Sequence, residues 1–129
     1  MPSVTLTVVN SGHNLLRDGL GGANNPKITY FALGTNNTAV VSTQTRLLNE
    51  VFRKKVTSVT NGVSVGEVLI NVYVAPGDTV GVDIEEIAVF GGNSATGTAN
   101  SGVMFGRALW SHNPKTNLES VQLQLDATV

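Results

Sequence analysis

The sequence predicts an all-β protein, an antiparallel β-sandwich of jelly-roll type with seven or eight strands. Three observations carry this. Short runs of alternating apolar and polar residues recur along the chain, turn-forming residues separate them, and only one stretch has a pattern suited to a helical turn. The segment Ile84–Trp110 organises the rest. Ile84 to Phe90 and Val103 to Trp110 are two β-type runs joined by Gly91 to Gly102, which contains only Gly, Ser, Thr, Asn and Ala. Side chains two apart share a strand face. Glu86, Ala88 and Phe90 therefore fall on one face and Ile87 and Val89 on the other. In the second run, Met104, Gly106, Ala108 and Trp110 are expected opposite Val103, Phe105, Arg107 and Leu109. Phe90, Phe105 and Ile87 are expected in the core, and the Gly-rich connection is expected to be exposed and mobile.

Before this pair, Val4–Val8 alternates strictly and reads as a strand. Asn10 to Lys27 is rich in Gly and Asn and reads as a long connection, pinned by Leu15, Leu16 and Leu20. Ile28–Leu33 is a strand stopped by Gly34. Ser42–Glu50 is the candidate helical turn. Strands follow at Val51–Val59 and Val63–Val74, with Asn61-Gly62 between them as a hairpin signal. Ala75–Asp78 is a turn, Asn113-Pro114-Lys115 a break, and Ser120–Leu125 the last strand. The 129 residues form one domain, in which 1–27 supply a strand and an arm reaching a neighbour or a shell.

Composition narrows the function classes. Charged residues are 13% of the chain, against about 25% in average globular proteins. Asn, Thr, Ser and Gly fill the difference, as in proteins whose surface is covered by other subunits. A net charge of −1 provides no field to gather nucleic acid or anionic membrane. No apolar run approaches the roughly 20 residues of a membrane span, and the first residues do not read as a signal peptide. With no cysteine, disulfides and thiolate chemistry are excluded.

Gly62-Val63-Ser64-Val65-Gly66 matches the G-x-S-x-G elbow, with Asp78 or Asp83 and then His112 in hydrolase order. The elbow requires a helix after the serine, and a strand is expected instead, so Ser64 reads as a hairpin residue. His13 and His112 lack metal-ligand spacing. Asp78, Asp83, Glu85 and Glu86 lack the regular oxygen-ligand spacing of a calcium loop and read as a solvated acidic patch. No phosphate loop is present. Neither catalysis, a cofactor nor a metal is therefore expected. Arg46, Arg53, Lys54 and Lys55 form a basic edge, with too few aromatic neighbours for base stacking. The sharper expectation is that this edge meets the Asp78–Glu86 acidic edge of a neighbouring subunit, in a homo-oligomer with a trimer preferred.

Four segments in order resemble the N-terminal domains of phage tail-collar fibres. Tyr30-Phe31-Ala32-Leu33-Gly34-Thr35 resembles "Y-I-A-L/V-G-T/D", and Leu48-Asn49-Glu50-Val51-Phe52-Arg53 resembles "L-x-N-E-V-Y/F-R". Ile84-Glu85-Glu86-Ile87-Ala88-Val89-Phe90 resembles "I-R-E-I-G-L-F", and Gly102–Ala108 resembles "G-x-L-F-A-R/V-A". Glu85 stands where the family has Arg, and the family's Trp ahead of that strand is missing. The resemblance implies a non-enzymatic virion protein, made in the host cytoplasm and carried on the virion surface. Because such fibres continue into long receptor-binding regions and this chain stops at Val129, a decoration protein bound to the major capsid protein is expected. A tail-fibre or baseplate attachment module is the alternative, and a carbohydrate-binding β-sandwich the second.

Overall fold

The computed structural model describes residues 2–129 and is a β-sandwich. Its elements are β1 (Ser3–Thr5), β2 (Thr7–Val8), α1 (Asn10–Leu20), β3 (Ile28–Gly34), β4 (Glu50–Lys55), β5 (Ser58–Asn61), β6 (Glu67–Val74), β7 (Ile84–Gly91), β8 (Val103–His112) and β9 (Val121–Thr128). A four-stranded sheet has the order β1-β9-β6-β5, and a five-stranded sheet the order β2-β8-β7-β3-β4. Pairing is antiparallel except for β1 with β9. The nine strands divide four and five between the sheets, where the sequence predicts seven or eight, and β3–β4, β5–β6 and β7–β8 are hairpins within a sheet.

Four connections cross between the sheets, β1 to β2, β4 to β5, β6 to β7 and β8 to β9, and the first two are short. Leu6, buried, carries the chain from β1 to β2. Val56 and Thr57 carry it from β4 to β5: the Val56 amide donates to Thr29 of one sheet and the Thr57 amide to Asn71 of the other. The single strand expected over Val51–Val59 is therefore two short strands in different sheets. Likewise, the strand expected from Val63 begins only at Glu67, because Gly62–Gly66 form the hairpin loop.

The core between the sheets includes Phe31, Leu33, Ile70, Ile87, Val89 and Leu125. Each such side chain contributes roughly 1.5–3 kcal/mol on burial. A second cluster lies on the outer face of the five-stranded sheet, where Ala32, Ala88, Phe90 and Met104 meet Val9 and Leu47. Phe90, Phe105 and Ile87 are all buried, as the sequence predicts, but Phe90 belongs to the outer cluster. Register shifts near Phe90 explain the division on β8: Phe90 pairs with Met104 and Val89 with Gly106, which leaves Phe105 as the extra residue of a bulge. The bulge turns Phe105 into the inter-sheet core and puts Arg107 and Met104 on the outer side, contrary to the strict alternation expected.

The N-terminal region also departs from expectation. Asn10–Leu20 is a helix, not a connection, and the expected helical turn over Ser42–Glu50 is irregular up to Asn49, with one turn bond from the Gln44 amide to the Val41 carbonyl, before β4 begins at Glu50. The glycines and asparagines of α1 conceal it from propensity, yet Gly12 is required: a Cβ there would lie 2.0 Å from the Phe105 carbonyl oxygen. Ser11 Oγ donates to the Met104 carbonyl at 2.6 Å, and Leu15 is buried. Residues 3–20 thus supply strands to both sheets and a helix docked on β8, rather than a free arm. Deleting residues 1–27 should leave a chain without a cooperative unfolding transition, read by circular dichroism on heating; a truncated protein that melts like the full chain would overturn this.

Candidate functional site

The outer face of the five-stranded sheet carries two adjoining rows of unusual composition. Register aligns Arg107, Ala88, Ala32 and Arg53 across β8, β7, β3 and β4, while Glu86 and Glu50 flank Gly34. Small residues in the middle leave space for the charged side chains to lie across the sheet. Gly34 is part of this: a Cβ there would meet the Glu86 carboxylate at 2.3 Å.

Glu86 and Arg107 are both 0% exposed. Arg107 Nε donates to Glu86 Oε1 at 3.0 Å, and Nη2 lies 2.9 Å from the same oxygen. The remaining capacity of the pair is taken by the segment between β3 and β4. Arg107 donates to the carbonyls of Thr38 (2.9 Å) and Asn36 (3.3 Å), and Glu86 Oε2 accepts from the amides of Asn36 (3.1 Å) and Asn49 (3.3 Å). A buried ion pair is tolerable only when its other donors and acceptors are filled. Here they bind residues 35–49 as a strap, with Leu47 inserted beside Phe90 in the outer cluster.

A second pair does the same for the Gly-rich loop. Arg53 and Glu50 side chains are 3% and 2% exposed and form two parallel bonds of 2.9 Å. Arg53 also lies 4.2 Å from the centroid of the Phe90 ring and donates to the Ser101 carbonyl at 2.8 Å. Glu50 accepts from the Asn100 amide at 3.2 Å. The loop between β7 and β8 is largely exposed, as expected, but it is tied to β4 at Thr96, Asn100 and Ser101.

Only one contact between the expected basic and acidic edges is made within the chain, and two more of their charges pair with residues outside both edges. Lys54 pairs with Asp78 at 3.1 Å, Arg53 with Glu50, and Glu86 with Arg107. Glu86 is no part of a solvated patch: β7 is central in its sheet and the strap covers that face. Asp83 and Arg46 are exposed, Lys55 is exposed at the end of β4, and Glu85 is half-buried with Ser111 at 3.5 Å. These four residues of the predicted contact set form no ion pair among the described residues. Sequence reasoning missed Lys115, which is buried and donates to the Pro76 carbonyl at 2.6 Å, and it missed Arg107 and Glu50 as partners. An isolated arginine in an apolar strand, facing a glutamate in the paired strand, was the available signal.

Asp78 is a testable electrostatic element. Partial desolvation pushes its carboxyl up, but the Ala75 amide and the Lys54 ammonium outweigh this and hold it below its ordinary value. A depressed folded value means the unfolded chain binds the proton more readily. The stabilisation is fully present above the ordinary Asp value and is lost as pH falls from that value through the lower folded one. Asp78→Asn should therefore flatten the acid limb of the stability curve, measured by urea unfolding from neutral pH downward; an unchanged limb would contradict the pairing.

Ser64 lies at the exposed hairpin tip, where its amide donates to Glu67 Oε1 at 3.3 Å. No helix follows it. Ser64→Ala should leave the melting temperature unchanged, and a fluorophosphonate probe should not label the wild type; labelling at Ser64 would establish an activated nucleophile. Among the described residues, no group of three or more His, Asp or Glu is placed to hold a metal ion. Comparison with protein-family models, with curated proteins and with solved structures found no match to this chain.

Proposed function

We propose that the protein is a non-enzymatic structural component of a phage virion, a decoration protein that binds the outer shell and stabilises it. One observation carries this reading. The four segments that resemble tail-collar fibre domains contribute β8, β7, β3 and β4, which are consecutive neighbours in one sheet. Four of the five charged residues of those motifs (Glu50, Arg53, Glu86 and Arg107, but not Glu85) are the two buried pairs that fasten the strap and the loop. The resemblance thus coincides with one cooperating unit of structure, rather than with scattered strand patterns. In this reading the major capsid protein is the partner, the protein acts as a homo-oligomer, and the exposed Arg46, Lys55 and Asp83, with the half-buried Glu85, are the charges left to meet it.

A tail-fibre or baseplate module is the second reading, favoured by the kind of domain that the motifs resemble. Quantifying the protein in purified particles separates the two. Copies in proportion to the shell protein support decoration, with rebinding to shells stripped of the protein as confirmation. A handful of copies per particle supports the tail location, and absence from particles overturns both.

A further inference from the structure

One end of the sandwich combines features that the buried pairs leave unexplained. A groove of about 730 Å³ opens there, walled by Leu16, Ile28, Val56, Val68 and Phe105. Thr29 is one of its lining residues, although the Thr29 hydroxyl itself is buried, without a hydrogen-bond partner among the described residues. Lys27 and Lys55 stand on the groove lining, both exposed and in no ion pair among the described residues.

The same end carries an apolar projection. Val63 and Val65 are fully exposed at the β5–β6 hairpin tip. The tip adjoins the groove, since the Val129 amide donates to the Gly66 carbonyl at 2.9 Å and Val129 is itself a lining residue. Leu20 is 92% exposed on α1, one turn beyond the groove residue Leu16. At the base of the tip, Glu67 accepts from the Val63 amide at 2.9 Å and neighbours Asp126. The Ser64 amide and a hydrogen bond from Asp126 pull the Glu67 carboxyl down, while the bond with Glu67 pushes Asp126 up. The two carboxylates crowd one another, an arrangement that a cation relieves.

We infer that this end is a self-association surface, on which the Val63–Val65 tip of a second copy enters the groove and places its Glu67 and Asp126 against Lys27 and Lys55. Charge complementarity selects the occupant, because an apolar tip with an acidic base matches an apolar groove with a basic rim on the same chain. Tip and groove adjoin on one end, so two copies meeting about a twofold axis make both contacts at once, as an isologous interface requires. The inference stands independently of the virion reading.

Sedimentation velocity of the full chain across a wide concentration range tests it. The wild type should pass from monomer to dimer, with association weakening as salt is raised. A Val63→Ser, Val65→Ser double variant and a Lys27→Glu, Lys55→Glu double variant should each weaken dimerisation by about tenfold or more. All four positions are exposed, so both variants should melt with the wild type. Amide resonances of Ile28, Thr29, Val56 and Val68 should shift with concentration. A chain that stays monomeric throughout overturns the inference. So does association indifferent to both variants, or association that appears only with added octanoate, which would make the groove a site for a small amphiphilic anion.

Discussion

Arg107→Ala should lower the unfolding free energy by about 3–5 kcal/mol, the range for removing one member of a buried ion pair. The loss arises less from missing attraction than from what stays behind. Glu86 would remain at 0% exposure with an uncompensated charge, and the carbonyls of Asn36 and Thr38 would lose their donor. Urea unfolding measures the magnitude, and hydrogen exchange locates it. Protection should fall first at the Asn36 and Asn49 amides, which donate to Glu86. Combining Arg107→Met with Glu86→Leu should recover part of the stability, because an apolar pair needs no compensating charge. Recovery should be incomplete, since the strap amides and carbonyls would still lack partners. A loss below about 1 kcal/mol for Arg107→Ala would mean that the strap is held by Leu47 and its neighbours rather than by the ion pair.

Phe105→Ala should cost about 3–5 kcal/mol as a large-to-small core change. The residue is 1% exposed and sits where three parts of the molecule converge. Its side chain belongs to the inter-sheet core, its carbonyl accepts the Val9 amide at 3.2 Å, and Gly12 of α1 lies against its backbone. Truncation leaves a cavity that the rigid bulge cannot close, and it enlarges the end groove that Phe105 helps to wall. The loss is again read from urea unfolding at constant slope. A change below about 1 kcal/mol would show that the site collapses around the smaller side chain and that Phe105 is no keystone of the core.

Much of the fold was legible in the sequence because strand formation is a local matter. Alternation over Ile28–Leu33, Val68–Val74, Ile84–Phe90 and Val121–Leu125 reports a face to be buried, whatever covers it. Turn residues such as Asn61-Gly62 mark where a run ends. The candidate site was legible only as unassigned charges. Arg53, Lys54, Asp78 and Glu86 were visible as ionisable residues, but their partners depend on which strands become neighbours. Glu50 and Arg53 are three apart in sequence, yet both also hold a loop some fifty residues away.

The sequence by itself determined the all-β class, the principal strands, the burial of Phe90, Phe105 and Ile87, and the exposure of the Gly-rich loop. Only the tertiary structure decided three things. It made Asn10–Leu20 a helix, because docking against β8 rewards Gly12 and Leu15 where helix propensity does not. It inserted a bulge at Phe105, which moved Arg107 to the outer face beside Glu86. It paired four of the eight charges expected at subunit contacts (Arg53, Lys54, Asp78 and Glu86) within one chain, because folding fixes the β4 cations beside acidic partners of the same chain, whereas a neighbour's carboxylates must first be brought there by association. Periodicity is a property of neighbouring residues, whereas register, bulges and buried partners are properties of contacts that the folded chain alone brings together.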